Sequence, residues 1–295
     1  MNEKSIFEQF DVDLMAQIGS RRDALKGAGK LGAGLALAAV PALFASLIKP
    51  HAAWAQQNGA PSVTDVLNFA LTLEYLEWQF YEQGLQTANL IPAADRVIFQ
   101  VVRDHELAHV RFLEDALGLA QNARLPNFDF SAGGAFADWN TNYATYRALA
   151  QGFEDTGVRA YKGQAPNLIA NDAVLTAALQ IHAVEARHAS MIRRLNGEFN
   201  EMAPQKGWIT GAQTGVVPAM VGGTAVGSAI YGPGNPPADF PSEANITQGG
   251  VDLTTLTFTP QLEGDRALKI SESFDEPLDM NTVVAIASLF IVQNA

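Results

Sequence analysis

The sequence contains no cysteine. This absence excludes a disulfide framework, a thiolate zinc site and a cysteine nucleophile. Any metal ion must therefore be held by carboxylates, imidazoles, backbone oxygens or water. Such ligands suit hard or borderline ions, among them iron and manganese.

Clusters of basic residues are also missing. Charged residues make up 17% of the chain, the formal net charge is −12, and no run of lysines or arginines is present. Nucleic acid is therefore a poor candidate partner, because its phosphates are bound by such clusters. The length of 295 residues and the 48% of hydrophobic residues are typical of a soluble globular protein with one large or two ordinary domains.

An uncharged stretch rich in alanine, leucine and glycine, from Leu31 to Ile48, follows the pair Arg21-Arg22. Small residues at Ala53 and Ala55 then provide a signal-peptidase site. This segment resembles a bacterial twin-arginine export signal. We therefore expect residues 1–55 to be a leader that engages the twin-arginine export machinery and is cleaved after Ala55.

The resemblance implies a periplasmic or secreted protein. An uncleaved membrane anchor is the alternative, since the stretch has about the 18 residues that an anchor needs. Its glycines and its proline weaken that interpretation. No other apolar span of membrane length occurs, so the mature protein is not expected to span a membrane.

Apolar residues at steps of three and four predict four amphipathic helices over residues 63–87, 92–117, 141–163 and 172–196. Pro92 should lie in the first turn of the second helix, and Gly163 and Pro166 should end the third. The segment from Gly118 to Asn140 has no periodicity, and it is long enough to run back along the bundle. Two short-loop hairpins joined by one long crossover predict an all-α core, a ferritin-like four-helix bundle over residues 62–197.

Two Glu-x-x-His pairs carry the chemistry. They are Glu106 with His109 and Glu185 with His188. Residues three apart on a helix share a face and can bind one ion together. Composition alone would produce about 0.25 such pairs in the whole chain. Both observed pairs also have a further glutamate upstream: Glu74 lies 32 residues before Glu106, and Glu154 lies 31 residues before Glu185.

Each of the four predicted inward stripes thus carries a glutamate. A lone carboxylate in an apolar core costs several kcal/mol unless it is paired or bound to metal. Four facing carboxylates would also repel one another, and a pair of divalent cations removes that repulsion. The sequence therefore predicts a two-metal carboxylate site.

These motifs resemble those of the ferritin-like di-metal carboxylate proteins, most closely the bacterial branch related to plant desiccation-related proteins. The stretch Phe274–Asp279 and the apolar helix expected at about 281–291 also resemble the tail of that branch. The resemblance implies two iron or manganese ions bridged by Glu106 and Glu185. It implies terminal ligation of the ions by Glu74 with His109 and by Glu154 with His188. Many members have an aspartate before each Glu-x-x-His glutamate, where it orients an opposing histidine. Here His105 and Val184 occupy those positions, so the groups that support the ligands must differ.

Several neighbouring residues have two interpretations. Glu77 could replace Glu74 as a ligand, although the matched spacing favours Glu74. Tyr81 and Tyr161, each seven residues after the first glutamate of its hairpin, either pass electrons or protons near the ions or are core residues with a hydrogen-bonded hydroxyl. His182 either touches the site or is a satisfied core histidine, which we favour. His105 is expected to be peripheral.

Residues 198–295 predict an irregular extension rich in glycine and proline, with a short strand over 251–258 and a final helix. The extension argues against a 24-subunit storage cage but leaves a homodimer open.

One function hypothesis is an exported oxidase, peroxidase or catalase that acts on dioxygen or peroxide. The other is a non-catalytic stress-protective or binding protein in which the metal is structural or absent.

Overall fold

Four long helices dominate the computed structural model, which describes residues 60–198, 206–213, 215–218, 220–221, 224–257 and 264–292. The predicted leader, residues 1–55, lies outside these ranges. The long helices are α1 (Val63–Gln86), α2 (Arg96–Ala116), α3 (Tyr143–Leu168) and α4 (Asp172–Glu198). None of the helices in the described part combines the length and the apolar character that a bilayer crossing needs.

The four helices form two hairpins. Helix α1 packs along α2, α3 packs along α4, and contacts between α1 and α3 join the hairpins. The connections within the hairpins are short, whereas residues 117–142 form the long crossover between them. This is the predicted ferritin-like four-helix bundle, and the prediction of the fold is confirmed.

Local sequence sets where the helices begin. Ser62 accepts a hydrogen bond from the Asp65 amide, and its own amide donates to the Asp65 carboxylate at 2.9 Å, which completes a capping box for α1. The prediction placed the start of α2 too early, near Pro92. The carbonyl oxygen of Pro92 accepts hydrogen bonds from the amides of Asp95 and Arg96 in a separate turn that precedes the helix.

The prediction that Gly163 and Pro166 end α3 was wrong, since the helix continues through Pro166 to Leu168. Proline removes only one hydrogen bond this close to a helix end, and Leu168 is buried in the core. Gly163 has a different role: a Cβ there would overlap the carbonyl oxygen of Leu278. The glycine therefore allows the C-terminal segment to approach α3 closely.

The C-terminal region is built from short elements. The strand pairs are β1 (Met220–Val221) with β2 (Thr224–Ala225), and β3 (Thr247–Gln248) with β4 (Val251–Asp252), both antiparallel. The short helices are α5 (Gly227–Tyr231), α6 (Arg266–Ser271) and α7 (Met280–Ala287). The predicted strand over 251–258 was too long, because a 3₁₀ turn at Leu253–Thr255 follows β4 directly.

The final helix is also shorter than predicted. After α7 the chain pairs with the crossover: the Asp129 amide donates to the Phe290 carbonyl, and the Val292 amide donates to the Asn127 carbonyl. An isolated bridge joins Phe128 and Ile291. These backbone hydrogen bonds replace the last turn of helix that the apolar sequence favours.

Arg159 of α3 anchors this region to the bundle. Its guanidinium is fully buried and lies 2.8 Å from the carboxylate of Glu243. It also donates to the carbonyl oxygens of Gly232, Pro241 and Pro277 at 2.9–3.0 Å. One side chain thus satisfies backbone groups from several irregular segments.

Candidate metal centre

The four predicted glutamates meet inside the bundle. Glu74 lies on α1, Glu106 on α2, Glu154 on α3 and Glu185 on α4, and each is completely buried. The helical period places all four on inward stripes at the same level of the bundle. The structure therefore brings together four buried carboxylates, one from each helix.

Two overlapping groups of ligand atoms can each hold an ion. Within each group, one ligand atom per residue lies within 4.8 Å of all the others. Glu106 and Glu185 belong to both groups. One group is completed by Glu74 and His109, and the other by Glu154 and His188. All six predicted ligands are thus placed together, with the division into shared and terminal residues that the family resemblance implies.

The histidines face the carboxylates through Nδ1. His109 Nδ1 lies 3.1 Å from Glu74 Oε2, 3.0 Å from Glu106 Oε2 and 3.4 Å from Glu185 Oε1. His188 Nδ1 lies 2.7 Å from Glu106 Oε1 and 3.3 Å from Glu154 Oε2. The His188 contacts lack hydrogen-bond geometry, as expected for lone pairs that point at a common centre.

Several of these atoms are buried without a partner in the described part of the chain. They are Glu106 Oε1, Glu154 Oε2, both carboxylate oxygens of Glu185, and His188 Nδ1. Buried polar atoms are nearly always hydrogen-bonded, and each unpaired one costs about 1–3 kcal/mol. Oxygen and imidazole nitrogen are the donors that iron and manganese accept. The unsatisfied atoms therefore fit a pair of such ions.

The protonation states reflect this crowding. Burial raises the pKa of Glu185 well above 4.5, and the neighbouring carboxylates of Glu106 and Glu77 raise it further. Burial lowers the pKa of His188, but the charges of Glu154 and Glu106 outweigh it and raise this pKa to about 10. Without cations, protons thus take over part of the neutralisation of the carboxylates.

Two tyrosines cross-link the hairpins at the site. Tyr81 of α1 donates to Glu154 Oε1 of α3 at 2.5 Å, and Tyr161 of α3 donates to Glu74 Oε1 of α1. Both hydroxyls thus hold terminal carboxylates, and the pattern has approximate two-fold symmetry. Their places agree with the matched positions of the tyrosines in the sequence.

The other neighbouring residues differ in their relation to the site. Glu77 is buried beside the site. The neighbouring Gly157 leaves room for the carboxylates of Glu77 and Glu185, because a Cβ at position 157 would lie 2.9 Å from Glu185 Oε2 and 3.3 Å from Glu77 Oε1. Glu77 belongs to neither ligand group. His182 makes a 3.0 Å hydrogen bond with the carbonyl oxygen of Val158, which is the satisfied histidine that we favoured.

His105 is exposed and belongs to neither ligand group, in agreement with the peripheral position expected for it. Its Nδ1 nevertheless lies 2.9 Å from His188 Nε2, a contact that the sequence analysis did not predict. The two residues are 83 positions apart, so no local spacing could reveal the contact. The only sequence signal was the position of His105 directly before Glu106.

Comparison with known proteins agrees with this geometry. Residues 62–198 match the family model described as a ferritin-like domain. This part of the chain is a ferritin-like bundle whose buried acidic groups and histidines lie close enough together to bind a metal ion. Neither the curated proteins nor the solved structures contain a match to the chain.

Proposed function

We propose that the protein binds two iron or manganese ions between its four helices and uses them in redox chemistry on dioxygen or peroxide. The observation that carries the proposal is the set of buried, unpaired ligand atoms arranged around two shared glutamates. A structural role for these carboxylates alone would leave their burial unexplained, because apolar residues would fill the same space at lower cost.

The residues have separable roles in this proposal. Glu106 and Glu185 would contribute ligand atoms to both metal positions, while Glu74 with His109 would hold one ion and Glu154 with His188 the other. Bound ions of this kind supply electrons to an oxidant and polarise it. Tyr81 and Tyr161 hold the terminal carboxylates in place through their hydroxyl groups.

Glu77 is suited to handle protons. Burial raises its pKa well above 4.5, and the nearby charges of Glu154 and Glu106 raise it further. Burial and these charges therefore favour the protonated form of its carboxyl in the metal-free protein. Reduction of dioxygen or peroxide consumes protons, and a protonated carboxyl beside the ligands can provide one.

We also propose that the protein acts in the periplasm or outside the cell, after export by the twin-arginine pathway. The support is the Arg21-Arg22 pair, the apolar stretch and the site at Ala55. Cell fractionation tests this. The full-length chain should yield a mature protein that begins at Gln56, and the double variant Arg21→Lys, Arg22→Lys should accumulate uncleaved in the cytoplasm. Export of the double variant at the normal level would argue against the pathway.

Metal analysis followed by turnover assays tests the site. The protein purified from its native compartment should contain two ions per chain by elemental analysis, and Glu106→Gln should lose both. The loaded protein should then consume dioxygen or peroxide. Stoichiometric binding without turnover would favour the non-catalytic function, and absence of binding by the folded protein would reject the metal site.

Glu114→Gln is a matched control. Glu114 is also a buried glutamate of α2, but it accepts hydrogen bonds from Tyr75 and Arg111 at 2.5 and 2.6 Å. It lies outside both ligand groups. This variant should retain both ions, so that loss of metal in Glu106→Gln can be separated from loss of any buried carboxylate.

A further inference from the structure

His188 connects the centre with the outer surface of the bundle. Its Nδ1 faces the carboxylates of Glu106 and Glu154, while its Nε2 lies 2.9 Å from Nδ1 of His105. The two rings are nearly parallel, with an interplanar angle of 17°, and their centroids are 5.2 Å apart, which is the separation of rings that meet edge to edge through this nitrogen–nitrogen contact. Both nitrogens of His188 are therefore engaged, one toward the centre and one toward an exposed residue.

A metal ion bound by His188 would fix the proton positions in this contact. An imidazole that binds a metal through Nδ1 carries its remaining proton on Nε2 and must donate it. Nδ1 of His105 would then be the acceptor, and the proton of His105 would reside on its own Nε2. The bond thus holds His188 in the tautomer and the ring orientation that ligation requires.

The second histidine of the site has no such support. The position that corresponds to His105 on α4 is Val184, directly before Glu185, and its side chain has no polar atom. Within the described residues, all hydrogen bonds of the His109 ring are made by Nδ1, toward Glu74 and Glu106. The two halves of the centre therefore have the same kinds of ligand. They differ because, among the described residues, Nε2 of His188 has a hydrogen-bond partner and Nε2 of His109 has none.

We propose that His105 is a positioning residue for His188 and makes the two metal positions unequal, so that the Glu154–His188 position binds its ion more tightly than the Glu74–His109 position. This inference rests on the proposed function only in requiring that two ions bind. Groups that orient a ligating histidine typically contribute 10–100-fold to metal affinity. We therefore expect two binding steps separated by about that factor.

Two substitutions separate the hydrogen bond from the packing of the ring. His105→Phe keeps an aromatic ring but removes the acceptor, whereas His105→Asn removes the ring but supplies a carbonyl acceptor. Calorimetric titration of the metal-free protein with Mn²⁺ is the assay. His105→Phe should weaken the tighter step by about 10–100-fold and leave the weaker step unchanged. His105→Asn should stay closer to the wild type.

A purely structural role for His105 predicts the opposite order, with His105→Phe like the wild type and His105→Asn impaired. That order, or two equal steps in the wild type, would overturn the proposal. Nitrogen-15 NMR of the metal-free protein gives a readout independent of metal. Nδ1 of His105 should be unprotonated, and the Nε2 proton of His188 should exchange slowly in the wild type and fast in His105→Phe.

The outcomes for this inference and for the proposed function are distinguishable. Two unequal Mn²⁺ steps that respond to His105→Phe, with no turnover of dioxygen or peroxide, would support the positioning role and reject the redox function. Turnover together with two equal steps would do the reverse. If the folded protein binds no Mn²⁺, both proposals fail.

Discussion

Replacement of Glu185 by glutamine should have opposite effects on stability with and without metal. In the metal-free protein both carboxylate oxygens of Glu185 lack hydrogen-bond partners, and burial keeps its pKa well above 4.5. Glutamine has nearly the same shape and carries no charge that must be neutralised. Glu185→Gln should therefore stabilise the metal-free protein, while it removes a ligand that both ions would share.

The magnitude follows from the linkage between protonation and folding. In the unfolded chain Glu185 has its ordinary pKa of 4.5, so above that pH the raised pKa of the folded state costs stability at about 1.4 kcal/mol per pH unit until the folded-state pKa is reached. The gain from Glu185→Gln should therefore vanish below pH 4.5, rise with about that slope above pH 4.5 and level off at the folded-state pKa.

Urea unfolding at pH 5, 6, 7 and 8 in the presence of a chelator measures this gain. With Mn²⁺ at 100 times the dissociation constant of a site, the wild type should gain about 2.7 kcal/mol from each ion that it binds at that ratio. The variant should gain far less, so the difference between the two proteins shrinks or reverses. The control Glu114→Gln should lose stability with or without Mn²⁺, because it disrupts satisfied hydrogen bonds. Destabilisation of the metal-free protein by Glu185→Gln at every pH would refute the reasoning.

Three further predictions follow from the same contacts. Gly157→Ala should weaken Mn²⁺ binding about tenfold or more in titrations with little change in metal-free stability, because the new methyl group crowds Glu185 while alanine favours the helix. Metal binding should release at least two protons, because the ligating histidines have pKa values of about 10 and the pKa of the shared ligand Glu185 is also raised. The Mn²⁺ affinity should therefore rise from pH 6 to pH 8, and calorimetry in buffers of different ionisation enthalpy counts the protons. Arg159→Met should cost about 3–5 kcal/mol in urea unfolding and expose the C-terminal region to proteases, because Glu243 is left buried without its partner.

The sequence could predict that the six candidate ligand residues lie together, because their grouping depends on local geometry. Glu106 with His109, and Glu185 with His188, are separated by three residues on a helix, and that spacing alone places both side chains on one face. The upstream glutamates could be selected because both hairpins repeat nearly the same interval. Helix periodicity and a matched repeat were therefore sufficient, and no long-range information was needed.

The contact of His105 with His188 was not predictable in this way. His105 lies about 100° around the helix from Glu106, which suggests a peripheral position when α2 is considered alone. Whether such a residue reaches the neighbouring helix depends on how α2 and α4 are placed across the bundle. That placement results from the packing of all four helices rather than from the sequence of either one.

The strand limits of the C-terminal region and its attachment to the bundle could not be predicted from the sequence for a similar reason. Its strands have two residues each, too few for an alternating pattern to define their limits. Much of its attachment comes from carbonyl oxygens that accept hydrogen bonds from Arg159. Backbone carbonyls are present at every residue, so their sequence does not reveal which of them a distant arginine will bind.

The metal centre also lies where the two hairpins dock. Tyr81 of the first hairpin binds Glu154 of the second, and Tyr161 of the second binds Glu74 of the first. Each ligand group likewise combines residues of both hairpins. An ion bound here must therefore hold the hairpins together, and separation of the hairpins must release it. Metal binding and the association of the two halves of the fold are thus one coupled equilibrium.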